Sequence, residues 1–293
     1  MIPKHLLQEI RHLELKASYI ANDMLTGEYL SAFKGQGMEF DEIRPYTYGD
    51  DIRAIDWNVT ARMHYPHIKI FREERELTLM LIIDVSASQR FGSETKLKSE
   101  RTAELAAVLA FLATRNNDKV GLLIFANHVQ QYIPPQKGRA HVWQLIKTIL
   151  APQEFQQGTD IDKALEYLLR ITKRKAMCFL ISDFVTTAPP KSLALCAKRH
   201  DLVAVQVQDQ REQSLPKCGL LDFVDSESGE VITVNTSDEQ FRQAYAADQR
   251  ERCAKLNKHF RRLGIDNFTI NTATSVARPL IEFLHLRTTR QRR

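Results

Sequence analysis

Two aspartates sit where short apolar runs end. Residues 77–84 read Leu-Thr-Leu-Met-Leu-Ile-Ile-Asp, and the chain continues Val85-Ser86-Ala87-Ser88. Alternate residues of an extended segment point the same way, so Asp84, Ser86 and Ser88 can converge on one point. A second apolar run, residues 176–182, is closed by Asp183. Between them Gly158-Thr159-Asp160 precedes a helical pattern, and the Thr159 hydroxyl can face the same point from a loop. Together these are carboxylates and hydroxyls, all hard oxygen donors, with no imidazole or thiolate. That donor set suits Mg2+, or Mn2+ or Ca2+, rather than Zn2+ or Cu2+. Asp84 and Asp183 just balance a divalent charge. The neutral hydroxyls leave the ion electrophilic, with room for an acidic side chain from another protein. The competing account is that Ser86 and Ser88 cap the turn that follows and that Asp183 caps another helix.

Other chemistries find less support. A phosphatase of the haloacid dehalogenase type would need an acid where Ser86 stands. Neither G-x-S-x-G nor G-x-x-x-x-G-K-[ST] occurs, and Gly35-Gln36-Gly37 is too short to cradle a phosphate. His64 and His67 lie three apart without the acidic helix of a zinc protease. Asp50, Asp51 and Asp56 alternate with Arg53 and Arg62 beside Tyr46 and Trp57. This segment reads first as an ion-paired extension. A partner-binding surface and a metal-dependent hydrolase or nuclease using the three aspartates are the alternatives. With no nucleophile–base pair or phosphate loop, the expectation is a protein that is not an enzyme.

The elements that must hold these residues follow from pattern. Apolar runs at 77–84, 119–126, 176–182 and 202–207 predict strands, the first and third buried on both faces. Residues 129–133 and 267–271 complete the set. Helical periods cover 96–115, 140–150, 161–171, 191–199 and 239–263, and a last helix begins near 277–279. A hairpin is expected around 227–230. Strands alternating with helices imply an α/β fold, a doubly wound, mostly parallel sheet with helices on both faces and one antiparallel edge at 119–133. Ligands of such sheets sit beyond the carboxyl ends of the strands, where Asp84 and Asp183 fall. The first quarter has a different texture: a helical opening (Leu6, Leu7, Ile10, Leu13, Ile20, Met24), then an aperiodic stretch over 26–66 and one strand at 67–71. Two regions result, an extension over 1–75 and an α/β domain over 76–293.

Composition narrows the class. With 293 residues, 43% hydrophobic and 26% charged, the chain is an ordinary globular protein with an ample core. The net charge is +5, but Arg287, Arg290, Arg292 and Arg293 crowd the last seven residues. The body is therefore no polyphosphate binder, and no nucleic acid partner is expected. The basic residues of 239–263 read as a solvated helix face. The longest apolar run, 105–113, is half a membrane span. No signal peptide is visible at the start, and Cys178, Cys196, Cys218 and Cys253 form no C-x-x-C. A cytoplasmic protein with reduced cysteines is expected.

Asp84-x-Ser86-x-Ser88, then Thr159, then Asp183 resembles the metal-ion-dependent adhesion site of von Willebrand factor A domains, over residues 77 to the C-terminus. Phe184 stands where many A domains have Gly. Further upstream, Gly37-Met-Glu39-Phe40, Arg44-Pro45-Tyr46, Gly49-Asp50-Asp51, Ile55-Asp56-Trp57 and Thr60-Ala61-Arg62 resemble the signature of the domain of unknown function 58 family, and the likeness covers nearly the whole chain. Its members are mostly prokaryotic and are often encoded beside MoxR-type AAA+ ATPases. The resemblance implies a metal-dependent protein-interaction module, an adaptor for such an ATPase in assembling or maturing other complexes. Many relatives carry N-terminal membrane helices, for which this sequence shows no counterpart.

Overall fold

A computed structural model describes residues 38–73, 77–93, 96–151, 158–185, 190–224 and 229–291. The expected N-terminal helix lies outside these residues, as do Arg292 and Arg293. The chain forms two compact units, one of them Phe33–Leu77 and the larger one containing Thr78–Arg293.

In the smaller unit β1 (Met38–Pro45) pairs antiparallel with β2 (His67–Glu73). The register slips between Phe40 and Glu42, so one extra residue reverses the parity of the strand. That slip explains why residues 38–45 show no alternation in sequence: Met38 and Phe40 fall in one parity and Ile43 in the other. The strand at 67–71 thus has a partner that sequence pattern did not reveal. A 3-10 turn at Ile52–Ala54 and a short helix α1 (Trp57–Met63) lie between the two strands. Asp56 starts α1 by accepting the Asn58 and Val59 N–H groups, and His64 ends it in the left-handed conformation, φ 62°.

The larger unit is a six-stranded sheet in the order β10-β7-β6-β3-β4-β5. Its strands are β3 (Thr78–Asp84), β4 (Lys119–Phe125), β5 (Val129–Gln136), β6 (Met177–Ser182), β7 (Asp201–Gln208) and β10 (Asp266–Asn271). All neighbours run parallel except β4 and β5. A separate antiparallel hairpin joins β8 (Leu220–Val224) to β9 (Val231–Asn235). The helices are α2 (Lys98–Arg115), α3 (Arg139–Leu150), α4 (Ile161–Ile171), α5 (Ser192–Arg199), α6 (Gln210–Gln213), α7 (Glu239–Leu263) and α8 (Ala277–Gln291).

Burial on both faces follows from the pleat. Met80, Ile82, Leu123, Phe125, Cys178 and Leu180 join one core with residues of α4, α5 and α7. The alternate set, Leu79, Leu81, Ile83, Leu122, Ile124 and Phe179, is equally buried on the other face. There α2 packs against β3, β4, β7 and β10, and α3 packs on α2. Each such buried aliphatic side chain contributes roughly 1.5–3 kcal/mol. The architecture is the doubly wound, mostly parallel sheet that the sequence pattern and the A-domain resemblance imply.

The β5 edge has an unusual construction. Pro134 and Pro135 fall where the β4–β5 register shifts, between Val120↔Gln136 and Leu122↔Ile133. A Cβ on Gly121 would come within 2.6 Å of Met80 Sδ and 3.0 Å of Pro135 Cγ. The absence of a side chain at Gly121 lets the proline ring close onto the sheet.

Candidate functional site

Asp84 stands at the carboxyl end of β3 and is 1% exposed. Its Oδ1 accepts the Ser86 N–H at 2.9 Å, and its Oδ2 accepts the Ser182 hydroxyl at 2.6 Å. Ser182 in turn accepts the Phe184 N–H at 3.0 Å. The pairing of Ile83 with Ile181 sets the ends of β3 and β6 side by side, which brings Asp84 and Ser182 together. Burial, and next the negative charge of Asp183, push the Asp84 carboxyl up to about 6; the hydrogen bonds from Ser182 and Ser86 work against that rise.

The two serines follow in the loop. Ser86 precedes a 3-10 turn, Ala87–Arg90, yet its side chain makes no capping bond to it. Its Oγ lies 3.1 Å from Ser88 Oγ. The helix-capping account of Ser86 therefore does not hold. Asp183 caps no helix among the described residues: Oδ1 accepts the Val185 N–H at 3.3 Å, and Oδ2 accepts from the Lys98 ammonium at 2.9 Å. Asp84, Ser86, Ser88 and Asp183 are thus drawn to the adjoining ends of β3 and β6.

Thr159 reaches the neighbouring strand end. The Asp160 N–H donates to Ala126 O at 2.8 Å, just beyond β4, which pairs with β3. Gly158 adopts φ 84°, and Asp160 caps α4 by accepting the Lys163 N–H at 3.0 Å. Thr159 is half-buried, and among the described residues its hydroxyl makes no hydrogen bond. The structure brings it to the rim of the site without tying it to Asp84.

The donor chemistry fits a hard divalent ion. Two carboxylates close enough for Asp183 to raise the Asp84 carboxyl, with hydroxyl oxygens beside them, supply hard donors. Asp84, Ser86, Ser88 and Asp183 would hold the ion, with Thr159 at the rim.

Phe184 takes φ 55°, in the left-handed region that favours glycine. The phenylalanine thus keeps the backbone that glycine would adopt here. Its ring is buried edge-on against Phe260, with centroids 5.2 Å apart, and this packing offsets the strain.

Sequence reasoning missed a buried cation. Lys98, at the start of α2, is completely enclosed. Its ammonium donates to Asp183 Oδ2 at 2.9 Å and to Glu212 Oε1 at 2.6 Å. Burial works against the ammonium, but the two carboxylates outweigh it and raise its pKa above the ordinary lysine value. Glu212 belongs to α6, whose cap Asp209 follows β7. Asp209 accepts the Ser93 N–H and hydroxyl and the Thr272 hydroxyl. Burial raises the Asp209 carboxyl, but these bonds outweigh it and leave it below the usual carboxylate range. Thr272 follows β10, and its carbonyl accepts from Arg101 at 2.9 Å. A polar chain therefore runs across the ends of β3, β6, β7 and β10. A pocket of about 480 Å3 opens beside it, lined by Asp183, Glu212, Gln208, Tyr245 and Cys253 among others. The signal for Lys98 was present in sequence: positions 98, 102, 105, 109 and 112 form one helical stripe, all buried.

The aspartates of the smaller unit are otherwise engaged. Asp50 receives both Arg44 terminal nitrogens, at 2.8 and 2.7 Å, and the Thr47 N–H and hydroxyl. The guanidinium first, then Thr47, hold its carboxyl well below the usual carboxylate range. Asp51 caps the 3-10 turn, and Asp56 caps α1 and pairs with Lys69 at 3.0 Å. These are structural roles, and nothing in their geometry favours the hydrolase reading.

Residues 42–255 match the family described as Protein of unknown function DUF58. The chain belongs to the DUF58 family. An uncharacterized protein of Mycobacterium bovis is 30% identical over 278 residues, which is 94% of this DUF58 chain and 87% of the relative. An uncharacterized protein of Mycobacterium tuberculosis matches to the same extent. Among solved structures, an aerotolerance-related membrane protein from Bacteroides fragilis is 17% identical with a TM-score of 0.48, covering 73% of this chain and 99% of that one. The VWA domain of SpRpn10 is 12% identical with a TM-score of 0.33, covering 45% of this chain and 75% of that one. The fold assignment of this DUF58 protein rests on its own strand order. Among the described residues no helix is long and apolar enough to cross a membrane.

Proposed function

We propose that this DUF58 protein is a non-catalytic docking module whose contact point is the cluster at the ends of β3 and β6. The observation that carries this reading is the meeting of Asp84 and Asp183 with Ser86 and Ser88, an all-oxygen set at the loop edge of the sheet. A bound Mg2+ or Mn2+ would supply a hard positive centre with a position left for a carboxylate from outside. Asp84 and Asp183 provide the charge, Ser86 and Ser88 provide neutral oxygens, and the Ser182 and Ser86 bonds fix the Asp84 carboxylate. In this reading the Thr159 hydroxyl, at the neighbouring strand end, would follow a change in charge at the site. The proposed partner presents an acidic side chain, and a MoxR-type AAA+ ATPase encoded nearby is the first candidate, with complex assembly or maturation as the process.

The test measures metal and partner binding separately. Wild type should bind Mn2+ by calorimetry, and Asp84→Ala should lose this while keeping its circular dichroism. Partner binding should vanish on chelation, and Thr159→Ala should weaken it more than it weakens Mn2+ binding. Equal Mn2+ affinity for wild type and Asp84→Ala, or a complex that survives chelation, would refute the reading.

A further inference from the structure

Lys98 is a permanent positive charge built into the wall of the candidate site. Its ammonium is enclosed and bonded to one oxygen of Asp183 on one side and to Glu212 on the other. A divalent ion drawing on Asp183 has to share that carboxylate with the ammonium. Two cations on one carboxylate repel, and burial keeps water from screening them. Asp183 and Glu212 also line the same pocket; the Glu212 carboxylate is partly exposed there, whereas Asp183 is nearly as enclosed as the ammonium. Without an ion, Lys98 neutralises Asp183 and keeps the strand-end loops assembled.

We propose that Lys98 is a tethered competitor that lowers the affinity of the site for divalent ions, with Glu212 as the second acceptor that draws the ammonium away from Asp183. This inference rests on the metal-site reading above and deepens it: it names the group that regulates loading. Lys98 acts through Asp183 and is a positioning residue. Glu212 is anchored for this role by the capping box with Asp209, and its backbone carbonyl accepts the Tyr245 hydroxyl at 3.0 Å.

Calorimetric titration with Mn2+ alone tests the idea on the full chain. Lys98→Met removes the competitor and should bind Mn2+ at least about tenfold more tightly than wild type. Glu212→Gln keeps the ammonium but removes its other charged acceptor. That variant leaves Lys98 wholly on Asp183 and should bind about threefold or more weakly. Lys98→Arg keeps the charge and should stay near wild type. A merely structural lysine would give weaker binding in Lys98→Met, the opposite sign. Should Lys98→Met fail to fold, because it strands two buried carboxylates, the Glu212→Gln result decides, and the double variant Lys98→Met/Glu212→Gln removes both partners together. Glu212→Gln binding Mn2+ as tightly as wild type, or weaker binding by folded Lys98→Met, would overturn the inference. If wild type and variants bind alike, the inference falls and metal-dependent docking stands. If only Lys98→Met binds, the inference stands and docking by the native chain does not use a metal. If none binds, both fall.

Discussion

Replacing Asp84 by Asn should stabilise the metal-free protein while abolishing its response to metal. Asp84 is buried beside Asp183, and its carboxyl is pushed from 3.8 up to about 6. Each pH unit of such a shift corresponds to about 1.36 kcal/mol, so ionised Asp84 costs the folded state about 3 kcal/mol. The amide carries no charge and pays none of this. It must, however, reverse the sense of the Ser182 hydrogen bond, at a cost of about 1 kcal/mol. The net gain at pH 8 is about 2 kcal/mol. Its pH dependence follows from a folded pKa that is raised: the wild-type carboxyl is fully favourable below 3.8, and this stability is lost as pH rises through about 6. The gap should therefore change sign, from about 1 kcal/mol in favour of wild type below pH 4 to about 2 kcal/mol in favour of the variant by pH 7, and the two run parallel above. Urea unfolding in EDTA across pH 4–8 measures the gap. Added Mn2+ should then raise the stability of wild type but not that of Asp84→Asn. A variant less stable than wild type at pH 8 in EDTA, or a gap that does not change with pH, would show that Asp84 is not under electrostatic strain.

Three further outcomes are expected. His200 is held neutral, its pKa lowered to about 4 by burial and then by Arg199, while Nδ1 lies 3.3 Å from the Ala176 N–H. Its contribution is whole above pH 6.5 and is lost as pH falls through about 4; thermal melts of His200→Gln should flatten that part of the profile. Phe184→Ala should cost about 3 kcal/mol, whereas Phe184→Gly should recover about 1 kcal/mol of it, because φ 55° strains alanine but not glycine; chemical denaturation of the pair reads this directly. Asp56→Ala should destabilise by about 1–2 kcal/mol through loss of the α1 cap, and the wild type should show no Mn2+-dependent cleavage of a generic phosphodiester; turnover that Asp56→Ala abolishes would revive the nuclease reading.

How much was legible follows the range of the interactions. Helices α4 and α7 occupy the residues their periodicity assigns, Ile161–Ile171 and Glu239–Leu263, because amphipathic pattern and the caps Asp160 and Asp238 are local signals. The convergence of Asp84, Ser86, Ser88 and Asp183 was legible because each aspartate closes a buried strand of the same sheet and the serines alternate just after the first. Lys98 was not, since its meaning depends on Asp183 and Glu212, 85 and 114 residues away. Its buried stripe on α2 is visible in the period, but a lysine at a helix start carries no local sign of burial. Glu212 hides in a four-residue helix too short for any period, and Asp209 in the cap before it. Strand β1 escaped because its bulge breaks the alternation on which strand reading depends.

The proline pair on β5 bears on how this protein meets others of its kind. A sheet edge ordinarily offers a row of N–H donors on which a second chain can template, the route to fibres and swapped strands. Pro134 and Pro135 carry no N–H, so the outward row loses a donor there, and the β4–β5 register shifts at the same point. Gly121 is part of the same safeguard, because a Cβ there would collide with both Met80 Sδ and the Pro135 ring. A side chain at Gly121 would lift the proline off the sheet and leave that margin open to recruitment by a neighbouring copy. The cost of such a change would show as turbidity during refolding at high concentration, with the site at the strand ends still intact.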